Sequence, residues 1–130
     1  MPPVSVLADS FGRLCFVDVE TTGLDANRDE LIEIGAVFVE DGDVTERKRW
    51  LLKPAAHVPP MVQALTGLND AALANAPRFA DLELEIRAAL TGWTLVAHNA
   101  HFERSFLRET ISANPVLDSC EVAQLLFPLA

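Results

Sequence analysis

A chain of 130 residues with 50% hydrophobic content can close one core without disulfides or a structural metal, so a single globular domain over residues 1–130 is expected. Its formal charge of −9 excludes a protein that grips nucleic acid mainly by counterion release through clustered lysine and arginine, while remaining compatible with a site that gathers carboxylates around cations. No basic, apolar leader opens the chain, no stretch is long and uncharged enough to span a bilayer, and the two cysteines lack metal-ligand or disulfide spacing; a soluble, cytoplasmic protein with reduced thiols and no membrane partner is expected.

Leu14-Cys-Phe-Val-Asp-Val19 is a short apolar run rich in β-branched and aromatic residues, the pattern of a buried central strand that ends at a carboxylate. Leu31-Ile-Glu-Ile-Gly-Ala-Val-Phe-Val39 reads as a second strand. Glu40-Asp-Gly-Asp43 is a hairpin turn leading to a third strand near Arg49-Trp-Leu-Leu52, which gives an antiparallel meander. The basic run Arg47-Lys48-Arg49 is read as solvated strand or turn.

Past Pro54 and Pro59-Pro60 the chain becomes alanine-rich, with helices expected near Met61 to Leu65 and Asp70 to Asn75. Phe79, Leu82, Ile86, Ala89 and Leu90 recur at helical spacing. Leu82-Glu-Leu-Glu-Ile86 alone would also suit a strand, but the length of the segment favours a helix, ended by Gly92. Trp93 to Ala97 is the next strand. Asn99 is a suitable N-cap for a helix from Ala100 to Ile111, and a short strand at Val116-Leu117 and a helix from Ser119 to Leu126 complete the chain. The fold class is therefore α/β, a mixed sheet of three antiparallel then two parallel strands with helices packed against it, in the order of a ribonuclease H-like fold.

Asp18 and Glu20 lie two apart on a strand, and a period of two points both carboxylates to one face. Two such groups repel unless a cation lies between them, and oxygen-only ligands suit Mg²⁺ or Mn²⁺. The alternative for a bare Asp-x-Glu is a solvent-facing pair at a strand end.

The pair continues as Thr21-Thr22-Gly23-Leu24, and Asp18 to Gly23 resembles without a gap the first motif of the DEDD 3′→5′ exonuclease superfamily of the proofreading type, Asp-x-Glu-Thr-Thr-Gly. Leu95-Val-Ala-His-Asn-Ala-His-Phe-Glu-Arg-Ser-Phe-Leu107 is similar to its second motif, His-Asn-x-x-Phe-Asp-x-x-Phe-Leu, where a strand runs into a helix. Ile32 to Val37, Leu65 to Leu68 and Ala76 to Phe79 also resemble the family, so the likeness covers nearly the whole chain.

The resemblance implies hydrolysis of nucleotides from the 3′ end of nucleic acid, single-stranded DNA before RNA, by two Mg²⁺ or Mn²⁺ ions about 4 Å apart. It implies that Asp18, Glu20 and Glu103 are the catalytic metal ligands, and that Thr21, Thr22, Leu24, His98 and Asn99 bind substrate. Asn99 and His98 also have sufficient local roles, as a helix cap and as a packed residue at a strand end. His57 and His101 match no family position and are expected to be exposed without partners. Further domains, or a polymerase or helicase partner, are expected beside the domain.

The chain departs from the family in two places. The metal-ligating Asp of the second motif is Glu103 here, which keeps the carboxylate and adds a methylene, moving its oxygens by roughly 1 to 1.5 Å, where a shift of about 1 Å can cost on the order of a hundredfold in rate if alignment matters. The third motif, a His followed five residues later by Asp, does not occur before Ala130, so residues 1–130 are expected to lack that motif and the helix bearing it. Asp118 resembles a common family Asp for which an N-cap role is enough, and Glu33 and Glu121 are poor substitutes for the fourth carboxylate. Two readings compete: an exonuclease domain, or a non-catalytic exonuclease-like module that binds a strand end or a partner protein.

Overall fold

The computed structural model describes residues 12–119. β1 (Arg13–Thr21), β2 (Leu31–Glu40), β3 (Asp43–Leu51), β4 (Thr94–Ala97) and β5 (Val116–Asp118) form one sheet in the order β3-β2-β1-β4-β5. β1 and β2, and β2 and β3, pair antiparallel, whereas β4 lies parallel to both β1 and β5. This is the expected mixed sheet, with β1 at its centre.

Alternation along β1 divides its residues between two environments. Cys15, Val17 and Val19 are buried and sit opposite Phe38, Ala36 and Ile34 of β2, so these side chains share one face. That face packs with α3 (Phe79–Leu90), through Ile86 and Leu90, and with α4 (Ala100–Leu107), through Phe106 and Leu107. Burial pushes the Cys15 thiol up to about 12, so it stays protonated and inert. Phe16, Asp18 and Glu20 point the other way. α1 (Pro60–Thr66) and α2 (Asp70–Leu73) cover a smaller cluster of Ile32, Val58, Leu68 and Leu73.

Several boundaries differ from those read in the sequence. β3 starts at Asp43 rather than near Arg49, because the β2–β3 turn takes up both required left-handed positions, Asp41 at φ 50° and Gly42 at φ 86°, and zips the next, polar residues onto β2. α2 stops at Leu73. The helix expected from Ala100 to Ile111 ends at Leu107, where Arg108 turns to φ 47° and starts a 3-10 turn, Arg108–Ile111. His57 does have a partner: its Nδ1 lies 3.0 Å from Asp70 Oδ2, while Asp70 Oδ1 accepts the Val58 N–H. The helix expected from Ser119 to Leu126 lies outside the described residues beyond its first position.

Candidate active site

Asp18 and Glu20 share the sheet face opposite the core, and Glu20 is paired across β1 and β2 with Glu33. Three carboxylates therefore stand on neighbouring positions of one face. Burial first, then the charges of Asp18 and Glu33, raise the Glu20 carboxyl above its ordinary value. Arg49 of β3 offsets Glu33 alone, through a close ion pair from its Nε.

The third expected ligand comes from a different element. α4 starts where the Asn99 side chain accepts the Phe102 N–H at 3.3 Å and the Asp118 carboxylate of β5 accepts the Ala100 N–H at 3.2 Å. Asp118 thus helps to cap α4. One turn on, Glu103 is buried at 4% exposure, on the same helical side as Ala100, Phe106 and Leu107. Among the described residues its Oε2 has no hydrogen-bond partner. Burial pushes the Glu103 carboxyl up to about 7, helped by the Asp18 and Asp118 carboxylates and opposed by a hydrogen bond from its own backbone N–H and by His98.

An orphaned, buried carboxylate oxygen within electrostatic reach of a second carboxylate is expensive unless a cation or proton satisfies it. Among the described residues no three His, Cys, Asp or Glu side chains close a preformed cage. The donor chemistry nevertheless fits a hard divalent cation: oxygen ligands only, mutual repulsion relieved by positive charge, and an unsatisfied Glu103 Oε2.

Two cavities flank Asp18 and Glu20. One, of about 630 Å³, lies over the open sheet face and is lined by Asp18, Phe16, Glu33, Arg47, His98 and Ser119 among others. The other, of about 480 Å³, is bounded by Glu20, the backbone turn Thr21-Thr22-Gly23-Leu24, α1 and Phe102. Its rim is apolar and unusually open to solvent, with Leu24 87% exposed, Met61 75% and Leu65 80%.

The expected substrate-binding residues divide between these cavities. Leu24, Thr21 and Thr22 belong to the apolar one, but both threonine hydroxyls are engaged within the chain. Thr21 Oγ1 donates to Gly23 O at 2.5 Å, and Thr22 Oγ1 accepts the Glu30 N–H at 3.0 Å and donates to Asp29 Oδ1 at 3.4 Å. His98 lies in the open-face cavity with its Nδ1 3.2 Å from Ser119 Oγ, and Asn99 is spent on its cap. Sequence reading missed the apolar rim of Met61, Leu65 and Phe102, whose spacing is that of ordinary helix positions. It also missed Asp29, which braces the turn.

A family model described as Exonuclease, RNase_T, matches residues 15–126. The DNA polymerase III subunit epsilon of Treponema pallidum is 36% identical over 118 residues, which is 85% of this chain and 55% of that protein. The 3′-5′ exonuclease DinG of Bacillus subtilis is 32% identical over 124 residues, 89% of this chain and 13% of that protein. The chain thus spans about half the length of the first relative and a small part of the second. Exonuclease X, solved in complex with 5′ overhanging duplex DNA, superposes with a TM-score of 0.73 at 28% identity, covering 89% of this chain and 65% of that one.

Proposed function

The chain belongs to the exonuclease family, and from that premise we propose that it is a 3′→5′ exonuclease domain that removes nucleotides from the 3′ end of DNA, with Asp18, Glu20 and Glu103 as its catalytic carboxylates. The family generally uses divalent metal ions. Asp18, Glu20 and Glu103 would hold two such ions, Mg²⁺ or Mn²⁺. When bound, they supply Lewis-acid stabilisation of charge at the phosphodiester and lower the pKa of the attacking water.

The observation that carries this reading is Glu103 Oε2, buried and without a partner beside Asp18. Buried polar atoms in folded proteins nearly always find a partner, and a bound cation would supply one for this oxygen. The additional methylene of Glu103 relative to the family's aspartate is compatible with binding a cation, since the carboxylate still lies within reach of Asp18.

The remaining residues bind and orient the strand end. Leu24, Met61, Leu65 and Phe102 offer an apolar shelf on which the terminal base rests, a contact that tolerates any base because each has a π-face. Thr21 and Thr22 act through their backbone at that shelf, their hydroxyls holding the turn in shape. Asn99 fixes the start of α4 and with it Glu103, and His98 stands beside the carboxylates at the edge of the open-face cavity. A single-stranded end suits a shelf that takes an unstacked base. The DNA polymerase III name of a relative supports a polymerase as neighbour or fused domain.

The test is degradation of a single-stranded oligonucleotide by the full-length protein and by Asp18→Ala. The variant is expected to lose at least a thousandfold in rate with its melting temperature no lower. Undiminished activity in Asp18→Ala would overturn the assignment.

A further inference from the structure

The turn that bears Leu24 is stiffened from within. Asp29 is its hub: its carboxylate accepts the Asp25 N–H at 2.9 Å and the Thr22 hydroxyl at 3.4 Å, and the Asp25 carbonyl accepts both the Arg28 N–H at 2.9 Å and the Asp29 N–H at 2.6 Å. The Thr22 N–H closes the loop onto Glu30 O at 2.9 Å. One side of this 22–30 loop faces the apolar cavity through Thr22, Gly23 and Leu24. Its other side, at Ala26 and Asn27, faces the end of α4.

A stiff loop still needs a fixed position relative to Glu103, which sits on a separate element far along the chain. Among the described residues the only hydrogen bonds joining the loop to α4 or its 3-10 turn come from Arg108. Its Nη2 donates to Ala26 O at 2.7 Å and to Asn27 Oδ1 at 3.3 Å, while its Nε donates to Ser105 O at 3.1 Å on the last turn of α4. One planar guanidinium thus holds both partners, a geometry that lysine lacks.

Two further features single Arg108 out. It is one of two non-glycine residues among those described with a left-handed backbone, at φ 47°, a conformation a bulky residue adopts only when its surroundings demand it. Among the described residues the guanidinium also has no ion-pair partner, although carboxylates outnumber cations in this chain; it is spent on neutral oxygens. That suits a bracket better than a charge.

We propose that Arg108 is a positioning residue: by clamping Ala26 and Asn27 to the end of α4, it holds the Leu24 shelf in the place where a strand end binds. The proposal rests on the exonuclease reading for its functional consequence but not for its structural one. Removing the clamp frees the loop and weakens binding of the strand end, while the carboxylates, which the loop does not carry, keep their places.

The experiment uses the full-length protein and Arg108→Gly, because glycine accepts the left-handed backbone without strain and separates loss of the clamp from loss of the fold. Arg108→Gly is expected to melt no lower than the parent, to raise KM for single-stranded DNA about tenfold with kcat within about twofold, and to speed amide hydrogen exchange across residues 22–30. Arg108→Lys should recover only part of the KM, and Asn27→Ala, mildly impaired alone, should add nothing in the Arg108→Gly background. Unchanged KM together with unchanged exchange, a fall in kcat at constant KM, additive effects of the two sites, or a loss that tracks a lowered melting temperature would each overturn the proposal. Should the parent protein fail to degrade DNA, the exonuclease reading alone falls, and the exchange measurement still decides the clamp.

Discussion

Glu103 shows how a proposed ligand residue can be legible while its energetics are not. Its place in the second motif identifies it, but nothing in the sequence tells that one oxygen is buried without a partner. The consequence concerns stability in chelator. A carboxyl raised to about 7 favours the folded state while protonated; that contribution is complete below its ordinary value near 4.5 and is lost as pH climbs through about 7. The loss is about 3 kcal/mol. Glu103→Gln, neutral at every pH, should therefore come close to the parent near pH 4.5 and exceed it by about 3 kcal/mol at pH 8 in urea unfolding with chelator present. A parent whose stability relative to Glu103→Gln does not change between those pH values would show that the carboxylate is relieved by something other than a cation.

At the scale of elements, periodicity decided which parts could be read ahead. β1, β2 and β4 were legible as short runs rich in apolar and β-branched residues, and α3 because its apolar residues recur at helical spacing. β3 was legible only at its Arg49–Leu51 end, since its exposed stretch from Asp43 to Lys48 has no alternation and becomes a strand through its turn and its pairing with β2. The break at Arg108 was likewise hidden, because no glycine or proline marks it and its cause, a bond to Ala26, spans 82 residues of chain. The turn after β1 was read as a motif, and its rigidity lies in side-chain bonds to backbone that spacing does not reveal. Gly23 makes that rigidity testable, because a Cβ there would run into the Asp29 carboxylate. Gly23→Ala should destabilise by about 1–3 kcal/mol as Asp29 is pushed off its donors, and Asp29→Ala should remove most of that cost in the double variant, read by urea unfolding. Additive costs at the two positions would mean that the turn is held by its backbone alone.

For the molecule as a whole, the charge of −9 and the proposed function are reconciled by where the charges stand. Asp18, Glu20 and Glu33 on one sheet face, with Glu103 within electrostatic reach of Asp18, would repel a phosphate backbone until cations intervened, so under the proposed function the same feature that argues against salt-driven DNA binding makes activity depend on metal. No helix among the described residues is long and apolar enough to cross a membrane. The family could be read from the two motifs because both fall where a strand meets a turn or helix, and the sheet brings those ends together. The most direct measurement tracks the polarity of digestion by the full-length protein on a 5′-labelled single-stranded oligonucleotide. The account predicts a ladder that shortens from the 3′ end with Mg²⁺ or Mn²⁺ and intact substrate in chelator. Digestion undiminished by chelator, or release of the labelled 5′ nucleotide first, would contradict it.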